Sequence, residues 1–412
     1  MLVNISRKHL HTEVLMQHGA VEAVDWQAQL NARANHFLVA DSYVMSLHGE
    51  ALKESLGRLG PNLHLITVDP GEATKSVDVY LRVTKHISEI GVERSSTLIS
   101  FGGAVTANLA GFVAATLLRG IRLIHIPTTL LAQLDGTIDF KQAINLDGVK
   151  NLIGSFYAPE LIVVDPKFLS TLTEQHLANG FAEALKHALC QDRELYQLLL
   201  DRAADRSDWF LEETVQRTVS LKTRLLEAES YDDAEMLLQY GHAVGHALES
   251  VSRSRLLHGE AIAIGMCASA EVALLLGLCG PDTVDAHYQL FKAYGLPTRI
   301  PGDCPIDDVL RLIYRDKYRV DGRQQMALIR EVGVPVTVGG SLAIPIAQET
   351  LREGCVRNAE GGRGEGWVAN GRVADGWTAD SRNAEDRMAG SGTGEGRLPE
   401  GRLKVEVASP TR

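Results

Sequence analysis

The 412-residue chain has only five cysteines, Cys190, Cys267, Cys279, Cys304 and Cys355, and no two of them form a CxxC pair. An odd, scattered set offers no disulfide framework and points to reduced thiols in a cytoplasmic setting. The N-terminal MLVNISRKHLHTEV lacks an apolar core, which argues against a signal peptide, and the longest apolar stretches stop short of a membrane span. Positive charge is in deficit: 41 Lys and Arg against 52 Asp and Glu leave a net charge of -11. Long-range steering therefore favours neither nucleic acid nor an anionic membrane. An anionic ligand must instead be gripped by a local cluster of basic side chains. What is present, 45% apolar and 23% charged residues, is the balance of a soluble globular chain long enough for two domains.

Short β-branched runs alternate with amphipathic segments over roughly residues 1–165. HFLVAD, ending at Asp41, LHLITVD, STLISFGG, RLIHIPTT and ELIVVD read as buried strands, being short, apolar and bounded by polar residues or glycine. Val79, Val83, Ile87 and Ile90 form one helical stripe between the second and third. Such alternation predicts a parallel sheet covered on both faces. From about residue 166 to 350 helical periods take over, at roughly 174–190, 193–203, 208–228, 234–250, 258–277 and 281–294, with strand-like character returning in MALIREVGVPVTV. This stretch reads as a second, mainly helical domain. Residues 351–412 are rich in Gly, Arg, Ala and Glu with little apolar periodicity, and a disordered tail is expected there.

Three sets of residues carry chemistry. Gly102-Gly103-Ala104 follows a strand and opens a helical run, where glycines let backbone N–H groups approach a pyrophosphate; a tight turn without a ligand reads equally well. His242 and His246 lie i, i+4 on one helical face, close enough to share a metal. His258 opens the next helix, and Glu183 lies in an apolar, Ala-rich helix; His₂Glu is a catalytic zinc set with an open position. On spacing alone His242 and His246 are the metal pair. Finally, Lys141, Lys150, Lys186 and Lys222 sit in apolar or Gly/Asn-rich surroundings, with Lys186 on the same helical face as Glu183. Such neighbours can bind phosphate and hydroxyls together.

In order along the chain, PGEATK, GGAVTANLAG, RGIRLIHIPTTLLAQLDG, KQAIN, KNLIGSFYAPELIVVD, GFAEALKH, YGHAVGHALE and HGEAIAIGM resemble the 3-dehydroquinate synthase superfamily of sugar-phosphate cyclases, from about Asp41 to Leu328. The resemblance implies an α/β fold, with a Rossmann-like NAD⁺-binding domain followed by a mainly helical metal-binding domain, in a homodimer. It implies zinc, replaceable by cobalt, on Glu183, His242 and His258, leaving His246 to face the substrate or support a ligand. Asp41, Glu72, Lys75, Gly102, Gly103, Asn108, Thr128, Thr129 and Asp135 would form the NAD⁺ site, with Lys150 at its margin. Lys141, Lys150, Asn151, Lys186 and Lys222 would grip a sugar phosphate, Lys317 matches a late phosphate-binding region, and Arg119 looks like the arginine that crosses the dimer interface to the phosphate. The implied reaction is oxidation of a secondary alcohol by NAD⁺, β-elimination of phosphate, return of the hydride, ring opening and aldol closure.

Within that superfamily, KQAIN and Asn108 resemble the 2-deoxy-scyllo-inosose synthases of aminocyclitol biosynthesis, which act on glucose 6-phosphate. The intact GHxxGH differs from the sedoheptulose 7-phosphate cyclases. No arginine appears in YDDAEMLLQ, where quinate-forming relatives hold an acidic substrate, while Gln239 fits neither branch. Ala104 replaces the third glycine of a GGG turn and Gly136 stands where serine is usual. A 3-dehydroquinate or amino-dehydroquinate synthase is the alternative. A catalytically silent NAD-binding homologue would be expected to have lost a zinc ligand or a catalytic lysine, and all are present; a glycerol dehydrogenase-like enzyme would have no need of the four lysines.

Overall fold

The computed structural model describes residues 1–7, 10–56, 62–147, 149–228, 230–253, 255–314 and 318–361. A seven-stranded sheet holds β1 (Leu2–Arg7), β2 (Leu10–Met16), β3 (His36–Asp41), β4 (Leu63–Val68), β5 (Thr97–Gly102), β6 (Arg122–Pro127) and β9 (Leu161–Val164), in the order β1-β2-β9-β6-β5-β3-β4. All neighbours are parallel except the β1–β2 hairpin. The inner strands β3, β5, β6 and β9 read as continuous apolar runs because both their faces are buried. Leu38 and Ala40 pack with Trp26, Leu52 and Phe101 on one side, and Phe37 and Val39 with Val83, Ile87 and Leu109 on the other. A second hairpin, β7 (Lys141–Leu146) and β8 (Val149–Phe156), stands off the sheet.

The helices are α1 (Ala20–Ala23), α2 (Trp26–Gln29), α3 (Ser42–Leu56), α4 (Val77–Ile90) and α5 (Ala104–Thr116) around the sheet. Beyond it come α6 (Glu174–Gln191), α7 (Arg193–Asp201), α8 (Asp208–Leu226), α9 (Tyr231–Leu238), α10 (His242–Val251), α11 (His258–Leu275), α12 (Pro281–Ala293), α13 (Ile306–Ile313) and α14 (Gln348–Glu360). α11 is long and apolar enough to cross a membrane by composition, but it is the central helix of the second half and its residues from Ala261 to Leu274 are buried. One apolar cluster runs unbroken from Ile162 and Val164 in the sheet through Phe181 and Leu185 to Met266 and Phe291.

Two expectations need correcting. The helical period at 234–250 is two helices, because the chain turns at Gly241 (φ 77), where a Cβ would lie 2.7 Å from the Met266 backbone nitrogen. The expected tail from residue 351 begins instead as α14, which buries Leu351 and Cys355 against α11. The remainder of that tail, 362–412, lies outside the described residues. Asn358 on α14 accepts from Ile300 N (2.9 Å) and donates to Thr298 O (2.8 Å) and Tyr288 Oη (3.0 Å). A chain ended after Glu353 would strand these buried groups at about 1–3 kcal/mol each. It should melt many degrees lower or fail to fold, whereas one ended after Gly361 should melt with the full chain; differential scanning fluorimetry of the two checks this.

Candidate active site and metal centre

The sheet turns back on itself between β3 and β5, whose neighbours lie to opposite sides, and ligands of open α/β sheets bind at the carboxyl ends of strands at such a point. Asp41 ends β3 and Gly102 ends β5; a Cβ on Gly102 would come within 3.1 Å of Asp41 Cβ. Asp41 Oδ1 accepts from Tyr43 N (2.9 Å) and Val44 N (3.2 Å), so its carboxylate is held by the start of α3. Gly103 caps α5 with no side chain on the first-turn amides. Thr129 stands over it, its Cγ2 lying 3.2 Å from where a Cβ of Gly103 would be, and Thr128 N donates to Gly102 O (3.0 Å). Asn108, one turn into α5, donates to Ala104 O at 2.9 Å. The two departures from the glycine-turn pattern compensate in space: a Cβ at Gly136 would meet Ala104 Cβ at 2.8 Å. The methyl gained at 104 fills the room vacated at 136.

The hairpin reaches over this turn. Asn145, on β7, ties it to the 72–75 turn: its amide donates to Glu72 Oε1 (2.7 Å), its N–H to Lys75 O (2.7 Å), and its Oδ1 accepts from Asn151 N (2.9 Å). Lys75 is buried and donates to Asn151 Oδ1; burial holds its ammonium below the ordinary lysine range, with Glu72 opposing. Lys141 lies 3.3 Å from Asp139 Oδ2 and 3.4 Å from Glu235 Oε1 on α9. Lys150 donates to Glu249 Oε1 on α10 at 2.9 Å.

Below the hairpin, Glu183 (α6), His242 (first residue of α10) and His258 (first residue of α11) converge, with ligand atoms within 4.8 Å of one another. Glu183 Oε1 lies 3.5 Å from His242 Nε2 and 3.5 Å from His258 Nε2, and neither carboxylate oxygen, both fully buried, has a hydrogen-bond donor of good geometry. A buried carboxylate that faces two imidazoles through one oxygen and a lysine through the other suits a divalent cation such as zinc or cobalt on the imidazole side. The break at Gly241 turns main-chain oxygens to use: Tyr240 O meets His242 Nδ1 (3.0 Å), aiming Nε2 at Glu183, and Leu238 O accepts from Lys186 (2.8 Å). Asn179, one turn before Glu183, accepts from Gly259 N (2.7 Å) and sets α11 against α6. No ligand-compatible group among the described residues joins His242 to His246. His246 is exposed, its ring 5.2 Å from that of His242 and 5.9 Å from that of His258.

Two lysines lie deeper. Lys186 contacts Glu183 Oε2, and Lys222 reaches Asp135 Oδ1 (2.5 Å) and O (2.9 Å), Asp135 lying in a single π-turn, Ala132–Gly136. Burial opposes every charge here, but the pairs prevail. Glu183 is held well below the ordinary carboxylate range by Lys186 and the two histidines, and Asp135 is brought down to about 2 by Lys222. Lys186 stays above its usual value through Glu183 and Asp135. Burial and Lys186 keep His242 neutral, whereas His258, despite burial, is raised to about 10 by Glu183 and Glu249. His258 is therefore protonated at neutral pH and must lose that proton to bind a cation. Calorimetry of Co²⁺ binding in buffers of different ionisation enthalpy should show about one proton released. With its folded value raised to about 10, His258 stays protonated throughout the neutral range, so affinity should rise about tenfold per pH unit up to about pH 10 and level off above it.

Arg119 is exposed beyond the far end of α5, a helix length of about 20 Å from the glycine turn. Lys317 lies outside the described residues. Asn145, Glu235 and Glu249 join the site without having been singled out in the sequence; only Glu249 had a signal, standing i+7 from His242 and i+3 from His246 on the same face.

Residues 65–179 match the 3-dehydroquinate synthase N-terminal domain and 180–319 its C-terminal domain. The chain is 37% identical over 291 residues to a 3-dehydroquinate synthase of Dehalococcoides mccartyi, covering 70% of this chain and 81% of that one. It is 34% identical over 340 residues to a 2-deoxy-scyllo-inosose synthase of Streptoalloteichus tenebrarius, covering 78% and 86%. The crystal structure of a 2-deoxy-scyllo-inosose synthase complexed with carbaglucose-6-phosphate, NAD⁺ and Co²⁺ superposes with a TM-score of 0.77 at 27% identity, over 86% of this chain and 98% of the other. With two successive domain matches and relatives above 30% identity aligned over most of their length, the chain belongs to the 3-dehydroquinate synthase family of sugar-phosphate cyclases.

Proposed function

We propose that the chain is a metal- and NAD⁺-dependent cyclase that converts glucose 6-phosphate to 2-deoxy-scyllo-inosose with release of phosphate. Glu235 carries the choice of substrate. Its carboxylate stands 3.4 Å from Lys141 on α9, the segment in which an arginine would be needed to hold an acidic substrate. A partly shielded anion there, 15% exposed, disfavours a substrate carboxylate and accepts hydrogen bonds from sugar hydroxyls. The likeness to an inosose synthase bound to carbaglucose-6-phosphate supports the reading. A 3-dehydroquinate synthase is the second reading, favoured by the 37% identity to such an enzyme.

Glu183, His242 and His258 would hold the cation, and the amides of Gly103 and the first turn of α5, with Asp41, Glu72, Lys75, Asn108, Thr128, Thr129 and Asp135, the dinucleotide. When bound, the cation supplies Lewis-acid polarisation of a substrate oxygen and NAD⁺ a reversible hydride acceptor. The protein's own groups do the rest. Lys141, Lys150, Lys186 and Lys222 place positive charge where oxyanions and the leaving phosphate develop, Asn151 orients hydroxyls, and His246, exposed at the cleft, carries a proton. Lys317 has the late phosphate-binding role that its motif implies.

We assign Arg119, exposed past the end of α5, to the partner's phosphate in a homodimer, the role that its resemblance to the family implies. A surface for that dimer is at hand: Val149 (50% exposed), Leu152 (56%) and Phe156 (54%) on β8, and Leu118 (41%) next to Arg119. Tyr157, after Phe156, joins the two by donating to Ile121 O.

The test is phosphate release from protein supplied with NAD⁺ and Zn²⁺ and, separately, glucose 6-phosphate, sedoheptulose 7-phosphate or the seven-carbon keto-acid precursor of dehydroquinate. Release from glucose 6-phosphate is expected; release only from the keto acid overturns the choice.

A further inference from the structure

Glu249 is a buried carboxylate, 6% exposed, on the helix that also carries His242 and His246, and it has two partners from different parts of the chain. Oε2 lies 3.4 Å from His258 Nδ1 on α11, and Oε1 accepts from Lys150 Nζ on β8 at 2.9 Å. His258 turns its other nitrogen, Nε2, to Glu183 at 3.5 Å. One carboxylate thus takes the outward N–H of a ligand histidine and, on its second oxygen, the hairpin that carries Lys141, Lys150 and Asn151. A carboxylate that accepts from the remote nitrogen of a ligand histidine fixes its tautomer and ring plane, and its loss commonly costs 10–100-fold in metal affinity. Here that carboxylate is itself anchored by a lysine from the hairpin. Whatever draws His258 into place draws on the hairpin as well.

We propose that Glu249 is a positioning residue that links the seating of the cation at His258 to the closing of the β7–β8 hairpin over the cleft. It rests on the reading of Glu183, His242 and His258 as a cation site but not on which sugar phosphate is turned over. Glu249 brings a ligand atom within 4.8 Å of those of His246 and His258, but with the cation seated on Glu183, His242 and His258 it is not a ligand; it acts through His258 on one side and Lys150 on the other. The link predicts that the cation alone, without sugar or dinucleotide, tightens the hairpin. It also predicts that each half of the link can be cut separately.

The experiment uses the full chain with Co²⁺ as probe. Affinity is read by visible absorption with a competing chelator, and amide hydrogen exchange over 141–156 is compared with and without Co²⁺. In the parent, one Co²⁺ should bind and slow exchange in the hairpin. Glu249→Gln, which keeps shape and removes charge, should bind Co²⁺ about 10–100-fold more weakly. At saturating Co²⁺ it should show no added protection in the hairpin. Glu249→Asp should recover part of the affinity. Lys150→Met, altered at a half-exposed side chain and therefore expected to fold, should bind Co²⁺ within about threefold of the parent (roughly 0.7 kcal/mol) yet lose the Co²⁺-dependent protection. A purely structural role for Glu249 would lower stability without separating these two readouts. The proposal is overturned if Glu249→Gln binds Co²⁺ as the parent does, or if the hairpin of Lys150→Met still tightens on Co²⁺. In both cases the cation site itself stands. If the parent binds no Co²⁺, the cation site falls and the link with it.

Discussion

Glu183→Gln should purify without bound metal and turn over at least about 10³-fold more slowly than the parent, a loss of roughly 4 kcal/mol in transition-state stabilisation. The amide keeps the shape of the carboxylate but cannot serve as an anionic ligand, and it presents an N–H₂ to one of two imidazole nitrogens that face it at 3.5 Å. It also leaves Lys186, 2% exposed, without its nearest counter-ion. Breaking a buried pair by removing one partner costs about 3–5 kcal/mol, so the metal-free variant should also unfold at lower urea than the metal-free parent. Metal analysis and urea titration separate the two effects. Stoichiometric metal in the variant would show that Glu183 is no ligand.

Lys222→Met should have the second largest effect. The ammonium is 1% exposed and is the chief group holding the Asp135 carboxyl down to about 2 against the pull of burial. Without it, Asp135 stands beside Glu183 with only the shared Lys186 as a cation, and stability at pH 7 should fall by about 2 kcal/mol, less than a fully buried orphaned charge costs because Asp135 is 25% exposed. The sign with pH follows from the depressed carboxyl. Its contribution is complete above the ordinary value of 3.8 and is lost as pH falls through about 2. Parent and variant should therefore differ most at pH 7 and converge near pH 2. A constant gap across that range would place the pair's contribution elsewhere. Turnover should fall as well, because Lys222 also fixes the π-turn through Asp135 O.

Much of the fold could be read directly. β3, β5, β6 and β9 bury both faces, so each is an unbroken apolar run, and α4 carries its stripe at Val83 and Ile87. Elements with one wet face were harder. In β2 buried positions alternate with exposed ones along LHTEVLM, and β8 is exposed along nearly its whole length, so neither shows a run of apolar residues. α14 lies in a composition biased to Arg, Glu and Gly, yet four residues, Leu351, Gly354, Cys355 and Asn358, suffice to dock it. The site followed the same division. Local spacing brought out His242 and His246, which share a helix face, but spacing cannot report on tertiary approach. His258 comes to Glu183 because α11 packs on α6, and only the resemblance to a family pointed there. Glu235 and Asn145 are ordinary polar residues in sequence; what distinguishes them is the lysine or glutamate that the fold brings opposite.

The turn at Gly241 has a consequence for how this centre can drift over generations. Two of its supports, the oxygens of Tyr240 and Leu238, belong to the main chain, so exchanging the side chains at 238 or 240 leaves both acceptors in place. The acceptors themselves thus survive a side-chain exchange, although Tyr240, fully buried and bonded to His287 at 2.8 Å, must be replaced by a residue that fills its space. The vulnerability is gathered at one position with no side chain at all: any residue larger than hydrogen at 241 would strain the bend and strike Met266, disturbing ligand and lysine in a single step.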